Sequence, residues 1–202
     1  MEPKTKIIKS AIKVFLKKGY DATSMSDVVL ESQSSKGGIY HHFKNKKDLF
    51  LQCIDFMFAE FEKWEIEMYS ASQNVKEILQ NYFGSLAYIH DFVCELADST
   101  EVDVDSFYLL MMEAFTKFPE IKEKHAAAHD QSMQFLINLL IEAQKKGDIK
   151  SDLDCATLGF MVEALAEGTV LYHILNERID LAKMGQKLFE TIWNGIAVEN
   201  EK

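Results

Sequence analysis

Proline occupies only two of the 202 positions, Pro3 and Pro119, and glycine only nine. Because proline breaks helices and glycine weakens them, long segments without either residue favour continuous helices. Apolar residues recur in these segments at helical spacing, as at Ile8, Ile12 and Phe15. The sequence therefore predicts an all-α fold of about nine helices.

Charge is divided unevenly along the chain. Residues 1–50 contain ten lysines and five acidic residues, a net charge of +5, whereas the whole chain has a net charge of -10. The remaining residues therefore carry a net charge of -15. This asymmetry predicts a basic module that binds a polyanion, joined to an acidic body with a different task.

Three classes of protein are disfavoured by the sequence. The cysteines Cys53, Cys94 and Cys155 lie far apart and form no CxxC motif, which is typical of reduced thiols in a cytoplasm. No apolar signal core follows the N-terminus. The longest uncharged run, residues 78–90, is too short to span a bilayer. We therefore expect a cytoplasmic protein with no membrane partner.

Catalytic and metal motifs are also missing from the sequence pattern. His125 and His129 have the i, i+4 spacing of metal ligands, but no third ligand is identifiable. No Ser-His-Asp order, nucleotide-binding loop or supported pair of catalytic acids is present. We therefore expect no enzymatic activity, no metal and no cofactor.

The first three predicted helices have the spacing of a helix-turn-helix. Helix one runs from about Lys4 to Lys18, with a lysine stripe that is interpreted as a solvated face, and Gly19 ends it. Ser24 and Asp27 form a predicted capping box for a short second helix. Ser35 then caps a third helix after a turn of three to four residues.

Two glycines begin the third helix, where glycine is unfavourable. Each costs about 1 kcal/mol relative to alanine in a helix interior. The absence of side chains at these two positions is explained if the helix approaches DNA, because the N-terminal residues of a recognition helix enter the major groove. A simple turn with surface histidines is the alternative. The predicted DNA contacts are Thr23, Ser24, Ser34, Ser35, Lys36, Gly37, Gly38, Tyr40, His41, His42 and Lys46.

The stretches "GYDATSMSDVV" (residues 19–29) and "SSKGGIYHHFKNKKDLF" (residues 34–50) resemble the DNA-binding domain of the TetR family of transcriptional regulators. Two departures are Gly38, in place of a commoner Thr, Ala or Asn, and "LESQSSK", a turn that resembles the family's multidrug-sensing branch. The resemblance implies a DNA-binding domain at residues 1–48 and a ligand-binding and dimerisation domain at residues 49–202. It also implies a homodimeric repressor on a palindromic operator.

The rest of the chain reads as further helices. They are predicted at residues 46–70, 75–97, 104–117, 119–147, 156–175 and 180–197, the last two strongly apolar. Paired apolar helices suit self-association, although an intramolecular core is the alternative. The predicted interface residues are Phe160, Leu165, Gly168, Leu171, Leu181, Leu188, Phe189 and Ile192.

Aromatic and methionine side chains are concentrated in the middle of the body. Such stripes usually form core, but a bundle that opens for a ligand also uses them. Carboxylates among aromatic rings suit a cation, so we expect a hydrophobic ligand that is cationic or neutral rather than anionic. The predicted ligand residues are Trp64, Phe83, Tyr88, Phe107, Tyr108, Met111, Met112, Glu113, Phe115, Glu163 and Glu167.

Two functional classes therefore compete. One is a ligand-responsive DNA-binding regulator, and the other is a helical enzyme, or a lipid- or acyl-binding protein, with incidental basic helices. The glycine-opened third helix favours the regulator, because neither alternative requires it.

Overall fold

The computed structural model of this chain describes residues 2–70, 72 and 74–198. Residue 1 and residues 199–202, at the ends of the two predicted domains, lie outside the described residues, as do residues 71 and 73. The predicted all-α fold is confirmed. The described residues form ten α-helices: α1 (Pro3–Ala22), α2 (Met25–Ser32), α3 (Lys36–His42), α4 (Lys46–Ser70), α5 (Val75–Ser85), α6 (Ile89–Ala97), α7 (Val104–Lys117), α8 (Pro119–Lys146), α9 (Cys155–Leu175) and α10 (Leu181–Ile196).

One predicted helix is divided in the structure. The segment 75–97 contains α5, a 3₁₀ turn at Leu86–Tyr88, and then α6. This division accounts for the difference between the nine predicted helices and the ten observed. Gly84 lies just before the break, and glycine is the weakest helix former apart from proline.

The described residues divide into two compact units. The first comprises Met1–Trp64 with Ile89–His125, and the second comprises Glu65–Tyr88 with Ala126–Lys202. Each unit has fully buried large side chains, such as Phe15 and Phe50 in the first and Phe83 in the second.

The three N-terminal helices pack around a small apolar core. Ile12 and Phe15 of α1, Val28 of α2, and Ile39 of α3 are all buried, as is Phe43 directly after α3. These residues recur at helical spacing, so one face of each helix is apolar and the opposite face is left for solvent. The core therefore fixes which side of α3 is exposed.

In the second unit, α10 lies very close to α5. A Cβ atom on Gly185 would be only 2.1 Å from the backbone oxygen of Phe83, so no other residue fits there without a shift of backbone. Backbone pairing between Ile149 and Ala197 joins the turn after α8 to the end of α10. This close packing fixes which side of α10 is buried within the chain.

Candidate DNA-binding surface

Helix α2 begins with the predicted capping box, which is confirmed. The Ser24 hydroxyl accepts a hydrogen bond from the Asp27 N–H at 3.2 Å, and the Asp27 carboxylate accepts one from the Ser24 N–H at 2.8 Å. The Lys18 ammonium and the Ser24 groups hold the pKa of Asp27 well below its ordinary value. The carboxylate is therefore ionised throughout the neutral range, where it stabilises the start of α2.

Helix α3 begins at its predicted cap, Ser35, whose hydroxyl accepts a hydrogen bond from the Gly38 N–H at 3.0 Å. The two glycines of its first turn have different surroundings. A Cβ on Gly38 would lie 3.1 Å from the Ser35 hydroxyl oxygen, whereas a Cβ on Gly37 would meet nothing within 4 Å. Gly38 therefore leaves room for the cap, and the protein itself gives no reason for glycine at position 37.

The exposed side of α3 is a compact polar surface. Its exposed residues are Ser35, Lys36, Gly37, Tyr40 and His41, which we call the α3 face. The Lys36 ammonium lies 5.9 Å from the centroid of the Tyr40 ring. No acidic residue belongs to this face, so hydroxyl, ammonium, phenol and imidazole groups surround a position without a side chain.

Six of the predicted DNA contacts lie outside this face, among them Gly38, which is half-buried, and Lys46. His42 is half-buried, with its ring 5.0 Å from that of His41. Thr23 is buried, and its hydroxyl donates to the Gly19 carbonyl oxygen at 2.7 Å. The structure therefore gives Thr23 a packing role in place of the predicted contact. The hydroxyl of Ser24 is used by the capping box, and that of half-buried Ser34 donates to the Ser32 carbonyl oxygen at 3.4 Å.

Lys46 is also engaged within the chain. Its ammonium donates to the carbonyl oxygens of Tyr20 at 2.8 Å and Asp21 at 3.1 Å, and it lies 4.4 Å from the centroid of the Tyr20 ring. These bonds hold the segment that links α1 to α2. A phosphate contact by Lys46 remains a prediction, and it would use the third N–H of the same ammonium.

The lysine stripe of α1 is not the solvated face that the sequence predicts. Lys9 donates to the carbonyl oxygen of Glu95 at 2.7 Å, and Lys13 and Lys17 pair with Glu101 at 3.3 and 2.6 Å. These partners lie at the end of α6 and in the segment before α7. The stripe therefore ties α1 to that segment.

Glu113 has a different position from the one predicted for it. Its carboxylate on α7 accepts a hydrogen bond from the Tyr20 N–H at 2.8 Å, directly after Gly19, whose φ of 74° interrupts α1. A Cβ on Gly19 would lie 3.2 Å from the same oxygen. Lys117 pairs with both Glu113 and Asp21. The predicted ligand carboxylate is therefore already bound to the backbone at the kink of α1.

The other predicted ligand residues are distributed over both units. In the first unit, the Trp64 ring stacks on Phe92 with centroids 5.4 Å apart, and the Phe115 ring lies 4.9 Å from that of His125. Met111 is buried in this unit, Phe107 and Tyr108 are half-buried, and Met112 is exposed. No group of three His, Cys, Asp or Glu side chains that could hold a metal ion occurs among the described residues.

The second unit contains the remaining four. The Tyr82 hydroxyl donates to the Glu163 carboxylate at 2.9 Å, which places Glu163 beside an aromatic ring. Phe83 is fully buried, whereas Tyr88 and Glu167 are exposed. Among these four residues, Glu163 has both a carboxylate and an aromatic neighbour. The prediction of a cationic ligand depends on this combination.

Comparison with known families identifies the N-terminal helices. Residues 7–53 match the family described as bacterial regulatory proteins, tetR family. The match covers α1, α2 and α3 and the start of α4. Residues 7–53 therefore belong to the TetR family of regulatory proteins. The TetR-type helix-turn-helix therefore consists of α2 and α3.

Curated relatives of this TetR-family chain include two regulators. The transcriptional regulator QacR of Staphylococcus aureus is 39% identical over 75 residues, which are 37% of this chain and 40% of QacR. The matched segment thus spans well under half the length of QacR. The fatty acid metabolism regulator protein of Bacillus subtilis is 24% identical over 195 residues, covering 94% of this chain and 93% of that protein.

Solved structures share the complete TetR fold. A transcriptional regulator from Saccharomonospora viridis in complex with choline has a TM-score of 0.78 at 21% identity, covering 97% of this chain and 98% of that one. The regulator FadR from Bacillus subtilis in complex with stearoyl-CoA has a TM-score of 0.71 at 22% identity, covering 95% and 98%. These likenesses extend the fold assignment to the body of this TetR-family chain.

The TetR-family body leaves an apolar helix face uncovered. On α9, Phe160 is 66% exposed and Leu171 50% exposed, Leu165 is exposed too, and Gly168 has open space where a side chain would be. By length and composition α9 could even cross a membrane, a test that core helices of soluble proteins also pass. Its outer face is therefore largely apolar, although it also contains Glu167.

The predicted interface residues on α10 are less exposed than those on α9. Phe189 is only 7% exposed and stacks on Trp193, so it belongs to the core of the chain itself. The reason is the close approach at Gly185, one turn earlier, which turns this side of α10 inward. Leu181, Leu188 and Ile192 are half-buried within the single chain.

Proposed function

We propose that this TetR-family chain is a homodimeric repressor that binds a palindromic operator through its α3 face and is released by a small hydrophobic ligand. The observation that carries the proposal is Gly37, an open position that the fold of the protein does not require. A close approach of DNA to the start of α3 gives that position a reason. Residues 1–48 would bind DNA, and residues 49–202 would bind ligand and dimerise.

The polar groups around Gly37 suit the proposed partner. Lys36, Tyr40 and His41 can donate to phosphate oxygens or base edges, and phosphate contacts set the register of such a helix. The net charge of +5 in residues 1–50, in a chain of net charge -10, favours a polyanion at this end.

A dimer would explain the apolar outer face of α9. Exposed apolar patches of this kind mark interaction sites, and a two-fold axis presents the same patch from both copies. Two α3 faces related by that axis would meet half-sites about 34 Å apart, one helical turn of DNA. A palindromic operator follows from the same symmetry.

Replacing Leu171 with glutamate should convert the dimer to monomers, because a charge would then be buried between two apolar surfaces. Light scattering at micromolar concentration measures the mass. Leu109→Glu is the matched control, since Leu109 is 71% exposed on α7, in the first unit. A parent protein that is already monomeric, or a dimeric Leu171→Glu protein, would refute this interface.

The ligand is proposed to be hydrophobic and cationic or neutral. Glu163 beside Tyr82 supports a cation, since a carboxylate and an aromatic ring both attract positive charge. Glu113 no longer supports it, because its carboxylate bonds to Tyr20. The choline complex of the Saccharomonospora viridis regulator is an example of a TetR-type structure with a cationic ligand.

An acyl compound is the second candidate ligand. The relative that aligns with 94% of this chain is a fatty acid metabolism regulator, and FadR was solved with stearoyl-CoA. A screen that combines thermal shift with release from DNA separates the two, with lipophilic cations, neutral aromatics and acyl-CoA in parallel. Release by acyl compounds alone would overturn the cationic proposal and leave the hydrophobic one.

The DNA partner is tested by selecting genomic fragments with the purified protein. We expect enrichment of a palindrome, and a loss of about 1–3 kcal/mol in its binding on Lys36→Ala without loss of folding. Binding and circular dichroism of both proteins measure the two quantities. Parent-like affinity in a folded Lys36→Ala protein would argue against the α3 face, and a parent that selects no fragment would favour a lipid-binding protein or enzyme.

A further inference from the structure

The turn between α2 and α3 contains a residue in an unfavourable backbone conformation. Gln33, which follows α2, has φ 53° and ψ 29°, in the left-handed region. Its N–H donates to the Leu30 carbonyl oxygen at 3.4 Å, which closes the end of the helix. Glycine is the usual residue in this conformation, because a Cβ atom is disfavoured there. A glutamine here therefore lowers the stability of the turn.

No side-chain contact within the described residues compensates for this choice. The Gln33 side chain is exposed, and its amide has no hydrogen-bond partner within the described part of the chain. The other non-glycine residue with positive φ in that part is Asp98, and aspartate tolerates the region better because its short side chain can bond locally. The longer glutamine side chain lacks that advantage, so its amide is free for another molecule.

Gln33 lies in the turn directly before the α3 face. It lies two residues before Ser35, the cap of α3, while the hydroxyl of Ser34 between them is used within the turn. In the proposed complex the start of α3 enters the major groove. Gly37 and Gly38 have no side chains there and Ile39 is buried, so Lys36 is the one side chain in the first turn of α3 that can reach base edges.

We propose that Gln33 is a sequence-reading residue, whose amide binds an adenine in the major groove of each half-site. A glutamine side-chain amide can form two hydrogen bonds with adenine in the major groove. Its NH₂ group donates to N7, and its oxygen accepts from the N6 amino group. Because the amide is uncharged, it would add base discrimination without adding salt dependence. The proposal rests on the proposed DNA-binding function.

The test compares the parent with Gln33→Gly and Gln33→Asn. Each protein is used to select sites from random duplex DNA, followed by titrations on the selected operator and its single-base variants at three salt concentrations. Gln33→Gly should unfold at a higher temperature than the parent. It should lose preference at one position per half-site, where the parent favours adenine by roughly 5- to 150-fold.

Gln33→Asn retains an amide that is too short, and it tolerates the left-handed region. It should therefore fold and lose the same preference, which keeps the test decisive if the glycine variant fails to fold. The slope of log affinity against log salt should be the same for all three proteins. Unchanged base preferences in a folded variant, or an equal loss on every sequence, would overturn the role of Gln33. A parent that selects no sequence at all would instead overturn the proposed function.

Discussion

Gly37→Ala should bind the operator about 1–3 kcal/mol more weakly than the parent and yet be the more stable protein. The added methyl group would meet nothing within 4 Å in the protein, so the fold accepts it. Alanine also favours the first turn of α3 by up to about 1 kcal/mol over glycine. In the proposed complex, however, the methyl group occupies the space through which α3 approaches the base edges.

An increase in stability together with a decrease in operator affinity distinguishes this effect from a general loss of folding. Thermal unfolding gives the first quantity, and titration on the selected operator gives the second. Gly84→Ala is the matched control, because Gly84 is also helical and a Cβ there also meets nothing within 4 Å, but it lies on α5. It should leave operator binding unchanged. If Gly37→Ala keeps parent affinity, α3 does not approach DNA by its first turn.

The helix-turn-helix could be predicted from the sequence because local interactions specify it. The pair Ser24 and Asp27 and the cap Ser35 act within three residues along the chain, so a short stretch contains all the information they need. Asp154 caps α9 by the same kind of local contact. These contacts depend little on the rest of the fold, and all of them are present in the structure.

Contacts between distant segments could not be predicted in the same way. The Tyr20 N–H and the Glu113 carboxylate are 93 positions apart, and no sequence period relates them. Lys9, Lys13 and Lys17 do show a stripe, but a stripe cannot reveal that an acidic segment near Glu101 covers it. Pairing partners of this kind depend on tertiary packing, which the sequence pattern leaves open.

Residue type alone does not show whether a position is exposed or buried, as Thr23 and Phe189 illustrate. Thr23 reads as a polar contact, but its hydroxyl satisfies the Gly19 carbonyl oxygen where α1 is interrupted. Phe189 reads as an interface residue, but the missing side chain of Gly185 draws that side of α10 inward. In both cases a glycine elsewhere in the chain decides the outcome through the backbone geometry that it permits.

Glu113 on α7 lies against the segment that leads from Gly19 to α2. Its carboxylate is half-buried on α7, bonded to the Tyr20 N–H and paired with Lys117. Lys46 holds the Tyr20 carbonyl oxygen from the other side. Tyr20 is thereby fixed through both of its backbone polar groups, and the segment leading to α2 is fixed with it.

Glu113→Ala should lower the free energy of unfolding by about 1.5–3 kcal/mol, because a hydrogen bond to a charged acceptor is lost and the Tyr20 N–H is left without it. Glu113→Gln should lose less, since an amide oxygen can still accept from that N–H. Chemical unfolding of the parent and of both variants measures these differences in the free energy of unfolding. Glu142→Ala, which removes only an exposed pair with Lys145, should unfold like the parent.

The same variants decide between the two roles considered for Glu113. If its carboxylate binds a cationic ligand, Glu113→Gln should abolish release of DNA by lipophilic cations and leave the free energy of unfolding unchanged. If it fixes Tyr20, unfolding of Glu113→Ala should be easier even without ligand, and operator binding should weaken because the segment before α2 is less ordered. The 2.8 Å bond to the Tyr20 N–H favours the second result.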